Sequence, residues 1–267
     1  MEKEEIGRML EKLRARSPLV HNITNTVVSN FTANGLLAIG ASPVMAQAPE
    51  EAAEMAEASD ALVLNIGTLS SQLIKAMIIA GKAANGAGVP VVLDPVGTGA
   101  TEFRTNAVKR IMGEVKISIL RGNAAEIANA AGENWEIKGV DSVDSERDMH
   151  TLGLMAAKKL NTTIVITGKN DIVTDGSTAY VNHTGHHLLT KVTGTGCLLT
   201  SVIGAFSSIE SCTVKASLGA LTLYGAAAER AAAAASGPGS LQVLFLDELY
   251  NLDPNEVQKQ ISYTKTK

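Results

Sequence analysis

Cysteine is almost absent: Cys197 and Cys212 are the only two in 267 residues, too few for a disulfide framework and without a Cys/His spacing that would hold a metal. Both are expected to be reduced. Aromatic residues make up 3% of the chain, so a core must be closed by Ala, Val, Ile and Leu. Neither sign of charge is in large excess. The 27 acidic and 23 basic residues leave a net charge of −4, and the basic ones are scattered, which advertises no surface for nucleic acid. Apolar runs are broken by Gly, Thr or charge before they could span a bilayer. The opening MEKEEIGRMLEKLRAR is charged and amphipathic, without the apolar stretch of a signal peptide. A cytoplasmic protein with no membrane partner is expected. Two nucleotide signatures, GxxxxGK[ST] and GxGxxG, are also missing, so any nucleotide must be held by other means.

What is present is an alternation of short β-branched runs with longer helical stretches, the pattern of a mostly parallel sheet covered by helices on both faces. Strands are predicted at ALVLNIG from Ala61, VPVVLDP from Val89, KISILRGN from Lys116 and TTIVITG from Thr162. Helices are predicted at SSQLIKAMIIAGKAA from Ser70 and ERDMHTLGLMAAKKL from Glu146, where apolar residues recur at three-to-four spacing. DIVTDG and STAYVNHTG read as antiparallel strands at one edge, around the Asp175-Gly176 turn. From Gly196 the chain is mainly helical, and an alanine-rich helix should stop near Ser236 because Gly237-Pro238-Gly239 cannot continue it. The closing YTKTK is the one stretch expected to lack order, and the segment around Trp135 is uninformative. At 267 residues, 45% of them hydrophobic, a single α/β domain over 1–267 is expected.

The polar residues gather where strands end. In an open parallel sheet the carboxyl ends of neighbouring strands face one crevice, where ligands bind. Those ends carry Asn65-Ile66-Gly67, Asp94-Pro95-Val96-Gly97, Arg121-Gly122-Asn123 and Thr167-Gly168. A fifth feature is Gly194-Thr195-Gly196-Cys197 before a helix, where little side-chain bulk lets backbone N–H groups converge on an anion. Magnesium would need carboxylates beside substrate phosphates. Asp94 and Glu126 are the candidates, with Arg121 as a fixed charge for phosphate. Taken singly, Glu126 in RGNAAEIANAAG reads first as a capping or surface carboxylate in the first helical turn; beside Arg121 and Asn123 the magnesium reading moves ahead. The histidines of NHTGHHLLT (His183, His186, His187) read as exposed imidazoles and not as a metal site.

With these residues in view, the sequence resembles the hydroxyethylthiazole kinase family of the ribokinase-like superfamily. PLVHNITNTVVSNFTANGLLAIGASPVM, LVLNIGTL, VPVVLDPVGTGAT, RGNAAEIANAAG, VITGKND and LLTKVTGTGCLLTSVIGAF occur in the order that family has them. The resemblance implies a ribokinase-like three-layer sandwich without a β-lid, and transfer of the γ-phosphate of ATP to 4-methyl-5-(2-hydroxyethyl)thiazole in thiamine salvage. It assigns Arg121, Thr167 and the adjoining Gly168 to the nucleotide, and Asp94 and Glu126 to Mg2+ and its waters. Asn25, Val27, Met45, Gly67 and Gly194 fall to the thiazole, and Cys197 with the amides of Gly194, Thr195 and Gly196 to the transfer itself. A homotrimer with active sites at subunit interfaces is implied too.

Cys197 stands where sugar kinases of the superfamily carry an aspartate base. A helix amino terminus lowers a thiol's pKa toward neutrality, which makes Cys197 a candidate weak base; a spacer of suitable size is the alternative. Among other activities, hydroxymethylpyrimidine kinase shares the GTGC loop but not the HNITN segment. A nucleotide-dependent dehydratase shares the fold and would release water. A cysteine hydrolase lacks a histidine tied to Cys197 by any motif, and a nucleotide-binding module would not need Asp94, Glu126 and Cys197 together.

Overall fold

The computed structural model describes residues 1–133 and 146–266; the stretch around Trp135 lies outside them. The first half runs α1 (Lys3–Arg16), β1 (Leu19–Ile23), α2 (Ser29–Ile39), β2 (Ser42–Val44), α3 (Ala52–Ala58), β3 (Ala61–Asn65), α4 (Ser71–Ala87), β4 (Val91–Asp94), α5 (Glu102–Glu114), β5 (Ile119–Gly122) and α6 (Ala124–Ala130). The second runs α7 (Glu146–Leu160), β6 (Thr163–Ile166), β7 (Asp171–Thr174), β8 (Ala179–Asn182), α8 (Thr195–Ser207), α9 (Thr213–Ala234), α10 (Pro238–Asn251) and β9 (Tyr263–Lys265). The nine strands of the described residues form one sheet in the order β2-β1-β3-β4-β5-β6-β7-β8-β9. Those from β1 to β6 pair in parallel and β7, β8 and β9 antiparallel. Among the described residues no strand is left to form a separate lid.

Alternation within each strand builds the three layers. In β3, Ala61 and Val63 face one core with α1, α2, α8, α9 and α10, while Leu62 and Leu64 face the other with α3 to α7. Both faces being buried, the strands read as unbroken apolar runs rather than as alternating ones. Local chemistry sets the boundaries. Ser70 caps α4 by accepting from Leu73 N at 3.1 Å, and α9 ends at Ala234, ahead of Gly237, which precedes Pro238 in the first turn of α10. Helix α10 packs through buried Leu241, Phe245 and Leu249, with Phe245 edge-on to Tyr224 at 4.7 Å.

Two expectations are corrected. The described part of YTKTK is ordered: Tyr263–Lys265 is β9, in register with Tyr180 to Asn182. That makes β9, not β8, the edge strand. Pairing across about 80 residues of chain is invisible to a local pattern. The strands β1 and β2 also add to those predicted; β2 is three half-buried residues long, too short to show a period.

A cavity of about 690 Å³ lies at the amino edge of the sheet, lined by Lys12, Arg16, Asp60 and Lys116 among others. Two of its cations, Lys12 and Arg16, already have partners. Lys12 donates to the carbonyl of Ile209, and Arg16 to that of Ser208 at 3.1 Å and to Asp60 at 2.8 Å. Basic side chains thereby satisfy the carboxyl end of α8. The polar residues at the strand ends lie at the other edge.

Candidate active site

Asp94 closes β4 and Asn65 closes β3, and the register sets them side by side. Asp94 is 1% exposed. Its Oδ2 accepts from Asn65 Nδ2 and Thr200 Oγ1, both at 2.8 Å, and lies 3.5 Å from Arg121 Nη1. Its Oδ1 is buried with no partner among the described residues. One oxygen is therefore saturated by donors and the other left bare in a site too dry to ignore it, the arrangement expected of a carboxylate that receives a cation or an ordered water. Burial pushes the Asp94 carboxyl up to about 6; Arg121 opposes this, and the charge of Glu126 adds to it.

Arg121 lies across the floor. Its Nη2 donates to Thr167 Oγ1 at 3.0 Å, and a Cβ on Gly196 would sit 3.0 Å from Nη1, so the guanidinium lies directly against the glycine loop. Gly194, at φ +93°, turns the chain into α8. The first intrahelical bond of that helix is Leu198 N to Gly194 O at 2.8 Å, which leaves the preceding first-turn amides without helical partners. The loop is held rigidly. Thr195 Oγ1 donates to Leu189 O at 2.9 Å, and Tyr224 Oη donates to Thr195 O at 2.6 Å. The Thr195 hydroxyl is thus structural, and only its amide remains for a ligand.

Glu126 is the helix cap that one of its readings foresaw. As the third residue of α6 it closes a capping box with Asn123, accepting from Asn123 N at 2.9 Å through Oε2. Its Oε1 accepts from Gly97 N, also at 2.9 Å, which ties the β4 and β5 loops together. Gly168 is engaged more than the sequence implied, since its amide donates to Asp171 Oδ1 at 3.2 Å. Of the residues assigned to the thiazole, Asn25 and Gly67 meet: a Cβ on Gly67 would fall 2.4 Å from Asn25 Nδ2. Gly194 backs onto Val28 and Phe31. Met45 is half-buried in a loop fastened to β1 by His21 Nε2 to Ala46 O at 2.7 Å and by Gln47 Nε2 to Thr24 O at 2.9 Å. Val27 is 71% exposed; its amide donates to Asn25 Oδ1 at 2.9 Å.

The thiol is the clearest correction. Cys197 Sγ lies 3.3 Å from Asn65 Nδ2, and burial, reinforced by the charge of Asp94, pushes its pKa up to about 11. The expected lowering by the helix terminus is overridden because a thiolate there would be desolvated beside a carboxylate. Cys197 is a neutral thiol at physiological pH.

Sequence reasoning missed Thr200 altogether. The only sign of it was a hydroxyl in the apolar run CLLTSVIGAF, one turn beyond Gly196.

The match of the hydroxyethylthiazole kinase family extends over residues 10–255. This chain belongs to that family. It is also similar to the hydroxyethylthiazole kinase protein of Pyrococcus horikoshii OT3, at 42% identity over 98% of this chain and 99% of that one, with a TM-score of 0.91. More distant likenesses speak to the ribokinase-like fold alone. An ADP/ATP-dependent NAD(P)H-hydrate dehydratase from Bacillus subtilis, co-crystallized with ATP/Mg2+, is 18% identical over 89% of this chain and 90% of that one, TM-score 0.62. A pyridoxal kinase from Staphylococcus aureus in complex with ADP is 17% identical over 79% and 87%, TM-score 0.57. The kinase carries its Asp94, Arg121 and glycine-loop groups on one edge of the shared sheet, and the reaction of its family is phosphate transfer to an alcohol.

Proposed function

We propose that this protein, acting as a single domain, transfers the γ-phosphate of ATP to the hydroxyl of 4-methyl-5-(2-hydroxyethyl)thiazole at the carboxyl edge of the sheet. The observation that carries the reading is Asp94, donor-saturated on one oxygen and bare on the other, set against Arg121 and the amino end of α8. In the transfer the alcohol oxygen bonds to the γ-phosphorus as the bond to the departing ADP oxygen breaks. The hydroxyl proton leaves late in such a loose transition state, so alignment and charge stabilisation dominate over a base. Arg121, with Thr167, faces the phosphate charge, and the amides of Gly194 to Cys197 receive the phosphoryl oxygens.

Asp94 and Glu126 are the residues that would hold magnesium and its waters. Two carboxylates suit an ion that takes its remaining ligands from water and phosphate, and the bare Asp94 Oδ1 fits such a role. When bound, magnesium would neutralise charge on the phosphates. Asn25, Met45, Gly67 and Gly194 form the alcohol side. Val27, exposed as it is, would be covered by a second copy in a homotrimer with the site at the contact. Among the described residues no helix is long and apolar enough to cross a membrane, and we place the enzyme in the cytoplasm.

ADP release, measured with and without the thiazole alcohol, tests the function. Release is expected to depend on that alcohol. Equal release without it, or preference for a hydroxymethylpyrimidine, would defeat the reading.

Two variants test the assignments. Cys197→Ser should keep its rate within about tenfold of the parent, and neither protein should show a thiol inflection between about pH 7 and pH 9, because a neutral thiol supplies less than the ~10² of a working base. A loss of ~10³ in both Cys197→Ser and Cys197→Asp, with ATP affinity intact, would restore the thiol to the chemistry. Glu126→Gln removes one of two oxygens that receive backbone N–H groups. It should raise the magnesium needed for half-maximal rate by about tenfold and cost about 1 kcal/mol of stability. An unchanged magnesium titration would leave Glu126 as a cap alone.

A further inference from the structure

Arg104 breaks a local rule. It stands at the third position of α5, behind the Thr101 cap that accepts its amide at 3.3 Å, where the helix field disfavours a cation. Its guanidinium turns back to the sheet edge and donates to three carbonyls on two loops. Nη1 reaches Ile66 O and Val96 O, both at 2.7 Å, and Nη2 reaches Gly67 O at 2.9 Å. Its stem lies against Gly97, whose φ of +72° is a conformation that L side chains rarely adopt; a Cβ there would be 3.3 Å from Arg104 Cδ. Among the described residues no carboxylate is in ion-pair range of it.

The two loops belong to different halves of the proposed reaction. Gly67 packs on Asn25 at the alcohol side, whereas the amide of Gly97 holds Glu126 at the phosphate side. We infer that Arg104 is a positioning residue that fixes the separation of these two sides, and so favours the bound alcohol over water as the acceptor of the phosphoryl group. A planar fork reaches the three carbonyls from two nitrogens held at set angles; an ammonium would have to reach them all from one rotatable atom. The inference rests on the thiazole kinase reading. If the loops drift, water attacks the γ-phosphorus in place of the alcohol, and ADP and inorganic phosphate form with no phosphorylated thiazole.

The experiment compares Arg104→Lys and Arg104→Gln with the parent, reading the KM of each substrate, the ratio of phosphorylated thiazole to ADP, and the melting temperature. Both variants are expected to raise the KM for the thiazole alcohol about tenfold while changing that for ATP by less than about twofold, since misplacement by an ångström suffices for losses of this size. ADP should exceed phosphorylated thiazole in both. An unaltered ratio with an unaltered alcohol KM would overturn the inference. So would a parallel rise of both KM values alongside a lowered melting temperature, which marks a structural role only. If Arg104→Gln does not fold, Arg104→Lys, which keeps the charge, decides alone. A parent enzyme inactive on the thiazole alcohol would overturn the function first and this inference with it.

Discussion

Asp94→Asn should lower kcat by about 10³-fold while leaving the protein folded, because a preorganised charge in a dry site is worth that much to a transition state. The asparagine oxygen can still accept from Asn65 and Thr200, so the local hydrogen bonds survive and the loss isolates the charge. A variant keeping more than about a tenth of parental turnover would remove Asp94 from the charge-stabilising set. Stability gives an independent check on the same carboxyl. A folded pKa of about 6, raised from 3.8, means that between those values the folded chain binds the proton and the unfolded chain does not. The stability contributed by the protonated acid is therefore present at low pH and is lost as pH rises through that window. Measured without nucleotide or metal, Asp94→Asn should gain on the parent by on the order of 3 kcal/mol between about pH 4 and pH 7. Asp171, also raised to about 6 by burial, slopes both curves alike, so the difference reports Asp94. A flat difference would show that the carboxyl is not desolvated as described.

Arg121→Met should be nearly as damaging, with a fall of about 10³-fold or more, the scale of a lost arginine on a transferring phosphoryl group. Arg121→Lys should fall between, since an ammonium cannot serve Thr167 and the phosphate as a flat fork does. A second consequence is diagnostic. Arg121 is the main influence holding the Asp94 carboxyl down against burial, so its removal should move the acid limb of the kcat/KM profile to higher pH. An acid limb that stays in place would separate the two residues, and full activity in Arg121→Met would exclude Arg121 from the phosphate site.

Much of this was legible beforehand, and for one reason. Parallel strands all present their carboxyl ends to the same edge, so recognising β3 to β6 was enough to gather Asn65, Asp94, Arg121 and Thr167 without knowing a single contact. The glycine loop announced itself by its lack of side chains. Strands of three residues did not, and neither did a terminal strand whose partner lies far away in sequence. Arg104 offered a faint sign, a cation at the wrong end of a helix, whose meaning depends on carbonyls that only folding brings near.

By itself, then, the sequence determined the layered α/β architecture, the edge at which the polar strand ends gather and the residue types available there, because these follow from local period and from strand direction. Tertiary structure alone decided the state of each group: a thiol kept protonated, a carboxylate with one free oxygen, a glutamate that caps a helix while facing the site. Protonation and hydrogen-bond occupancy are set by burial and by neighbours such as Asn65, Thr200 and Arg121, which are 29, 106 and 27 positions from Asp94. No local pattern encodes those separations.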